Sequence, residues 1–546
     1  MSNLFNLQGV GVNQPPGVTS QSLFAQGDSS IGSTTYRNMI WGNFTGSNAV
    51  AGTVYGPDTT PALQTASDAA FLMGSGTPSY RMFVDHIATG NKVNPLYWMA
   101  VASASGGTDA YYTLNVTTAG TQTTGSIQVT IGVTAFVVSF GAADTTGKVA
   151  VAIVNAINSN PTLSCTASVA GGTSYANLVA TSLLTGSIAI TITLKTPGAR
   201  GNFYQLQCTV VTGSGILLNG VSDTGVVNFS GGVGSDLAGY QTGISNLLNG
   251  TTGQNLRYYN HMLEAGGDQV DGYNVGGTGN LIVNTFLSTY VDVLQQASNG
   301  VTCKVFVGSV DSEPHTSTAC GFNTNDPRGE VVCLPTSDLP PCQLVVRYVG
   351  ARTSLETAPL TPAGYNFDDM GATPSTIGIW NIPAPRNGTA PSQATINAAV
   401  VQGVSILKVL GGGRTKLVKA CTQEFWVGQQ GSFDPRIVDP GKLTLCDYLR
   451  DDLNAAYQIF IGGTVIGTSG SGGTAAPGVV NQKRVYDRTN QILIQYGNNG
   501  MIDYNRTIKG LKVQQGTSPT TMIQVLLPVF TADCLHQIQL LILNVN

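Results

Sequence analysis

The stretch NLIVNTFLSTYVDVLQQASNGVTCKVFVGSV (Asn280–Val310) is where the fold class is legible. Its first part carries apolar residues at helical spacing and stops at Asn299 and Gly300; the part that follows is a short apolar run of strand type. A helix that feeds directly into a buried strand is the repeating unit of a layered α/β structure. The same alternation continues on both sides. SDLAGYQTGISNLLNG (235–250) and LRYYNHMLEA (256–265) have helical spacings, and CQLVVRYVG (342–350) reads as a further buried strand. APSQATINAAVVQG (390–403) predicts a helix with Ser392 as N-cap, and VSILKVL and RTKLVKACTQ around three glycines predict a hairpin. DYLRDDLNAAYQIFIGG (447–463) predicts an amphipathic helix closed by Gly462, after which the chain is expected to return to strands.

Residues 106–232 have a different composition, with only six charges: Asp109, Asp144, Lys148, Lys195, Arg200 and Asp223. Period-2 runs (YYTLNVT, SIQVTIG, AFVVSF, IAITITL) are interrupted by one Ala-rich helix, TTGKVAVAIVNAINSN, which stops before Pro161. The glycine-rich joints SGGTDA and NFSGGVGSD bracket this stretch, which predicts a self-contained β-rich insertion. The α/β domain is then made of residues 31–105 and 233–389. Residues 390–535 form a C-terminal domain, and residues 1–30, with NQPPGVTSQS, an extended N-terminal arm.

The chain of 546 residues balances 25 Lys+Arg against 29 Asp+Glu, a net charge of -4, which argues against nucleic acid and against anionic membranes as partners. Only 10% of residues are charged and 68 are glycine, the composition of strands and loops with neutral, packable surfaces. MSNLFNLQGVGVNQPPG lacks a basic and apolar leader, so synthesis in the cytoplasm is expected. The uncharged stretch Val149–Leu194 alternates apolar residues with Thr or Ser and reads as strand, not as a membrane span. Nine cysteines without a CxxC spacing indicate reduced thiols and no zinc site.

Catalytic patterns are not evident. GAADTTGKV departs from a phosphate loop in its glycine spacing and in Val149, and GVGSDLAG (232–239) fails the dinucleotide spacing. His86, His261, His315 and His536 lie in no HExxH pattern, and no serine occupies a GxSxG elbow. Asp451 and Asp452 follow Arg450 on a helix and read as a solvated or intersubunit ion pair; Asp368 and Asp369 form the other carboxylate pair. The expectation is a non-enzymatic protein without cofactor or metal. A carbohydrate-binding or adhesive surface protein would also account for the Thr/Gly-rich insertion, but it calls for a secretion signal and exposed aromatic clusters.

HQIQLLILNVN (His536–Asn546) is an apolar strand on both faces: Ile538, Leu540 and Ile542 against Leu541, Leu543 and Val545. Such a strand is an edge liability unless a partner receives it, so it is expected to be donated to another subunit. Burying its six large side chains is worth on the order of 9–18 kcal/mol as an upper bound.

FLMGSGTPSYRM (71–82), NPLYWMAV (94–101), the run from Gly106 to Asn158, TLKTPGARGNFYQLQ (193–207) and AAVVQGVSILKVLGGGRTKLVKACTQ (398–423) together resemble the Mu-like branch of contractile bacteriophage tail sheath proteins, in the family's order of blocks. Lys419 and Cys421 stand where that family shows Arg and Thr. The resemblance implies an α/β and β multidomain fold: a subtilisin-like α/β domain without a protease triad, a C-terminal α+β domain, an outward-facing insertion and extended arms. It also implies a virion subunit in a six-fold helical homo-oligomer around a tail tube protein, bounded by baseplate and tail terminator proteins, whose contraction drives the tube into the host. On that footing Lys483, Arg484 and Arg488 of NQKRVYDR, with Arg450, are candidates for the tube-facing surface. Cys303, Cys320, Cys333 and Cys342 lie among Pro- and Gly-containing loops and are candidates for intersubunit disulfides once a particle meets an oxidising exterior.

Overall fold

A computed structural model describes residues 37–89, 95–103, 106–249, 258–264, 281–291, 294, 302–312, 327–355, 382–386, 390–410, 414–423, 439–461, 464–465, 479–515 and 523–531. The proposed N-terminal arm and the apolar strand 536–546 lie outside them. Strand β1 (Arg37–Asn43) is followed by β2 (Val54–Tyr55), α1 (Ala66–Met73), α2 (Pro78–Ala88) and β3 (Leu96–Val101). Thr65 and Asp68 form a reciprocal capping box on α1, and the Thr77 hydroxyl accepts from the Tyr80 amide ahead of Pro78 on α2.

The chain then makes a β-rich unit before returning to the first layer. It comprises β4 (Asp109–Thr118), β5 (Gly125–Ile131), β6 (Thr134–Phe140), α3 (Thr146–Asn158), β7 (Cys165–Val169), α4 (Tyr175–Ser182), β8 (Ile188–Pro197), β9 (Gln205–Thr212), β10 (Ile216–Leu218) and β11 (Val227–Asn228). Two four-stranded antiparallel sheets, β10-β4-β8-β7 and β11-β9-β5-β6, share a core with α3 built only from residues between Ala110 and Phe229. A second helix, α4, joins the one expected helix; with eight residues and no charge it gives little periodic signal.

The return begins with α5 (Leu237–Leu248), β12 (Tyr258–Leu263), and α6 (Leu281–Phe286), which runs on as a π-helical turn to Val291. It continues with β13 (Lys304–Ser309), β14 (Gly329–Cys333), α7 (Pro341–Leu355), α8 (Gln393–Val401), β15 (Val404–Leu410) and β16 (Arg414–Leu417). The resulting sheet has eight strands in the order β16-β15-β14-β13-β12-β1-β3-β2, parallel from β15 to β3 with an antiparallel strand at each edge. Ile40, Trp98, Met262, Phe306 and Val332 face α1, α2 and α7 on one side; Met39, Trp41, Met99, Val305 and Val331 face α5, α6 and α8 on the other. This is a three-layer α/β/α arrangement.

Two segments differ from their expected type for one reason. LRYYNHMLEA contains β12, and CQLVVRYVG lies in α7. Every residue of Tyr258–Leu263 is buried, as is all of Cys342–Gly350, so neither element shows the polar face by which period distinguishes helix from strand. The hairpin at 404–417 extends the large sheet instead of joining the C-terminal helices, because β15 pairs in parallel with β14.

Among the described residues the C-terminal part is mainly helical, and the expected return to strands is limited to two short pairs. It contains α9 (Pro440–Tyr457), the short pair β17 (Thr464–Val465) and β18 (Val479–Val480), α10 (Gln482–Asn498), α11 (Tyr504–Gly510) and the hairpin β19 (Lys512–Gln515) with β20 (Ile523–Leu526). Its core gathers Leu445, Leu449, Ile492, Leu493, Tyr496 and Leu511 around Tyr259, the residue that β12 contributes.

Candidate functional site

Open α/β sheets bind ligands beyond the carboxyl ends of their strands, at the point where successive connections leave in opposite directions. Here that point lies between β1, whose chain goes on to β3, and β12, whose chain goes on to β13. The residues at these two strand ends are Asn43 and Glu264. Glu264 Oε2 accepts from the Asn43 amide and from Ser79 Oγ, both at 2.8 Å. The insertion closes the position from above. Arg200 places Nε 2.7 Å from Glu264 Oε1, pairs through Nη1 with Asp236, and donates through Nη2 to the Pro197 carbonyl at 2.8 Å. All three charged side chains are buried.

More contacts fasten the insertion around this plug. Lys195 Nζ donates to the Ser75 carbonyl at 2.8 Å and the Pro161 carbonyl at 2.9 Å. Arg386 reaches from the core to the Gly132 carbonyl at 3.0 Å and to Asp338 at 3.2 Å. The glycine-rich joints are held as well: the Thr108 amide donates to the Val233 carbonyl at 2.8 Å, and the Gly232 amide to Asn202 Oδ1 at 2.9 Å. What remains beside the plug is a crevice of about 10 Å³ lined by Arg200, Phe203, Tyr204, Glu264, Pro340 and Cys342, room for no more than a single water. Both glycine-rich joints are thus hydrogen-bonded, and the plug has no counterpart among the expectations from sequence. Its sequence signal was Arg200, the one arginine in a nearly uncharged segment.

A second buried network joins α9 to the sheet. Arg328 grips Asp447 with both terminal nitrogens, and Tyr259 donates its hydroxyl to Asp447 at 2.6 Å. Burial raises the Asp447 carboxyl, but Arg328 and Arg450 outweigh it and hold the group at about 2. Lys304 donates to the Pro440 carbonyl at 2.8 Å and to Thr444. Arg450 belongs to this network: Nη2 donates to Thr302 Oγ1 at 2.7 Å and to Asp451 Oδ1 at 3.3 Å, and the residue is 4% exposed. It is thereby removed from any outer surface, a correction of its assignment to a tube-facing patch. Asp451 is buried beside it, which corrects the solvated reading of the carboxylate pair. Asp452, accepting from the Tyr496 hydroxyl at 3.1 Å, is raised to about 7, first by burial and then by Asp451.

Lys483, Arg484 and Arg488 fall on the first two turns of α10, capped by Asn481. Val485, Thr489, Ile492 and Leu493 form the buried face of this helix, while Lys483 is 80% exposed and pairs with Asp487 at 2.7 Å. The three basic residues thus share a helix, and Arg450 stands apart from them. Cys303, Cys333 and Cys342 are 0%, 0% and 4% exposed, in the core instead of in accessible loops. Burial, with Glu264 nearby, pushes the Cys342 thiol up to about 12. An intersubunit bridge through any of these three would require the core to open; Cys320 lies outside the described residues. So do Ile538, Leu540, Leu541, Ile542, Leu543 and Val545, and Asp368, Asp369, His315 and His536.

The two described histidines serve the interior. His86 sits 3.2 Å from both Asn38 Nδ2 and the Val346 carbonyl, and burial lowers it to about 4. His261 accepts from Trp41 Nε1 at 3.0 Å among Tyr258, Phe286 and Tyr290, and burial lowers it to about 3. Among the described residues no group of three His, Cys, Asp or Glu side chains is placed to hold a metal ion, and no helix is long and apolar enough to cross a membrane.

No protein-family model and no curated protein matches the chain by sequence. Compared as a structure, it is similar to a sheath tail protein of Listeria innocua at 10% identity and a TM-score of 0.45, covering 92% of this chain and 94% of that one. It is also similar to a sheath tail protein of Desulfitobacterium hafniense at 10% identity and a TM-score of 0.41, covering 96% and 100%. A chain of the six-fold symmetrised baseplate of the anti-feeding prophage is similar over 55% of this chain and 72% of its own length, at 12% identity and a TM-score of 0.36.

Proposed function

We propose that this chain is a structural subunit of a contractile tail sheath, of the Mu-like kind, that polymerises with copies of itself around a tail tube protein. The observation that carries this reading is the closed switch point: where an α/β enzyme keeps a ligand cleft, this chain inserts Arg200 between Asp236 and Glu264 and spends the position on joining two of its own units. The resemblance of the sequence blocks supports the same reading. The alternating segment Ile538–Val545 is the donated strand, and a two-stranded ribbon such as β19–β20, marginal by itself, is the receiving surface in the neighbouring copy. Six-fold symmetry, baseplate and terminator partners, a place in the virion and contraction that drives the tube into a host complete the proposal. Negative-stain microscopy of the purified chain tests it: tubes or stacked rings support the sheath reading, and monodisperse particles at every concentration and salt overturn it.

A further inference from the structure

Helix α4 turns an apolar stripe to solvent. Tyr175, Val179 and Leu183, spaced four residues apart on one face, are 85%, 45% and 74% exposed, and the adjoining Leu184 is 51% exposed. The other side of the helix is tied down: Leu178 packs on the core of the insertion and Thr181 is buried. Ser174 caps the first turn, the Thr145 hydroxyl donates to the Ser182 carbonyl at 2.5 Å, and the Gly147 amide donates to the Leu184 carbonyl at 3.0 Å. The stripe is therefore presented by a fastened helix.

Two properties of the surroundings identify what covers it. No charged residue occurs from Val149 to Leu194, and the charges beside the segment that the end of α4 touches, Lys148 and Asp144, neutralise each other as an ion pair, so the stripe has no net charge by which to select an oppositely charged partner and an identical stripe meets little like-charge repulsion. The four side chains expose on the order of 400 Å², about half of the ~800 Å² per partner that a stable complex buries. A patch of that size is too small to hold two free subunits together, but it is sufficient where other contacts already keep copies side by side at an effective concentration in the millimolar range.

We infer that the α4 stripe is a contact between insertions of adjacent copies of this chain, formed within the assembled polymer and not between free subunits. The inference rests on the proposed self-polymerisation. It is tested with the full-length chain carrying Ala180→Cys, an exposed position beside the stripe, and a short bismaleimide crosslinker, with the unsubstituted chain as control. Assembled polymer should give crosslinked dimers at least ten times more abundant than the same concentration of disassembled subunits. Polymers with no dimer above the control overturn the α4 contact while leaving the sheath reading standing; a chain that forms no polymer overturns both. Adding Tyr175→Ser and Leu183→Ser should reduce the crosslinked yield at least five-fold in polymers that still form. An unchanged yield would mean that lattice proximity alone brings the cysteines together, and would overturn the inference.

Discussion

Arg200 stands between two buried carboxylates, so its loss is expected to act through what it leaves behind. Arg200→Ala strands Asp236 and Glu264 without their cation, and breaking a buried pair in this way costs about 3–5 kcal/mol. Chemical denaturation should show that loss, and Arg200→Ala combined with Glu264→Gln and Asp236→Asn should recover most of it. Asp452 supports a pH prediction. Its folded value of about 7 is above the unfolded value, so between about pH 4 and 7 the native state binds the extra proton and stability falls as pH rises through that window. His86 and His261, held low by burial, act in the opposite sense, losing stability as pH falls below their unfolded value. The difference between the native chain and Asp452→Asn therefore isolates the carboxyl: the variant should gain relative stability at pH 8 over pH 4.5, and an equal difference at both would refute the assignment. A lone arginine in a neutral segment is visible in sequence. That its partners are Asp236 and Glu264 is not, because they meet only when β12 is laid beside β1.

The insertion shows how an element with its own core can still depend on its host. Thr108 and Val233 are hydrogen-bonded neighbours, so residues 109–232 can be removed and the chain rejoined by a short turn. Excision should nevertheless lower the denaturation midpoint, since Asp236 and Glu264 lose Arg200 while Ser75 loses Lys195. Excision with Glu264→Gln and Asp236→Asn should be more stable than excision alone; equal midpoints would show that the plug contributes nothing to the core. The helical and strand periods of the insertion are plain in sequence because its two sheets each have one wet face, as in β8, where burial alternates residue by residue. β12 and the Cys342–Gly350 stretch of α7 have no wet face, so their period is not displayed in the sequence.

For the molecule as a whole, the outward groups matter most. Lys483 is exposed and Arg484 half-buried on the capped first turn of α10, away from its buried face, so Lys483→Glu with Arg484→Glu should leave the melting temperature within a few degrees while weakening decoration of tail tubes; unaltered decoration would exclude this part of α10 from the tube contact. Deleting Gln537–Asn546 should leave circular dichroism nearly unchanged and abolish polymer formation, and full-length tubes from the shortened chain would refute strand donation.

Local periodicity and turn chemistry were enough to identify a layered α/β chain interrupted by a β-rich unit, the cap at Ser392, the hairpin at 404–417 and the buried-strand character of Lys304–Ser309. These features depend on neighbours a few residues apart, whose spacing a sequence displays. The closed switch point, the burial of Arg450 and of Cys303, Cys333 and Cys342, and the apolar stripe left outside on α4 depend on which surfaces meet at long range. A charged, thiol or apolar side chain carries the same letter whether it faces solvent or core, and the packing of helices, α9 among them, and of the insertion on the large sheet sets which it does.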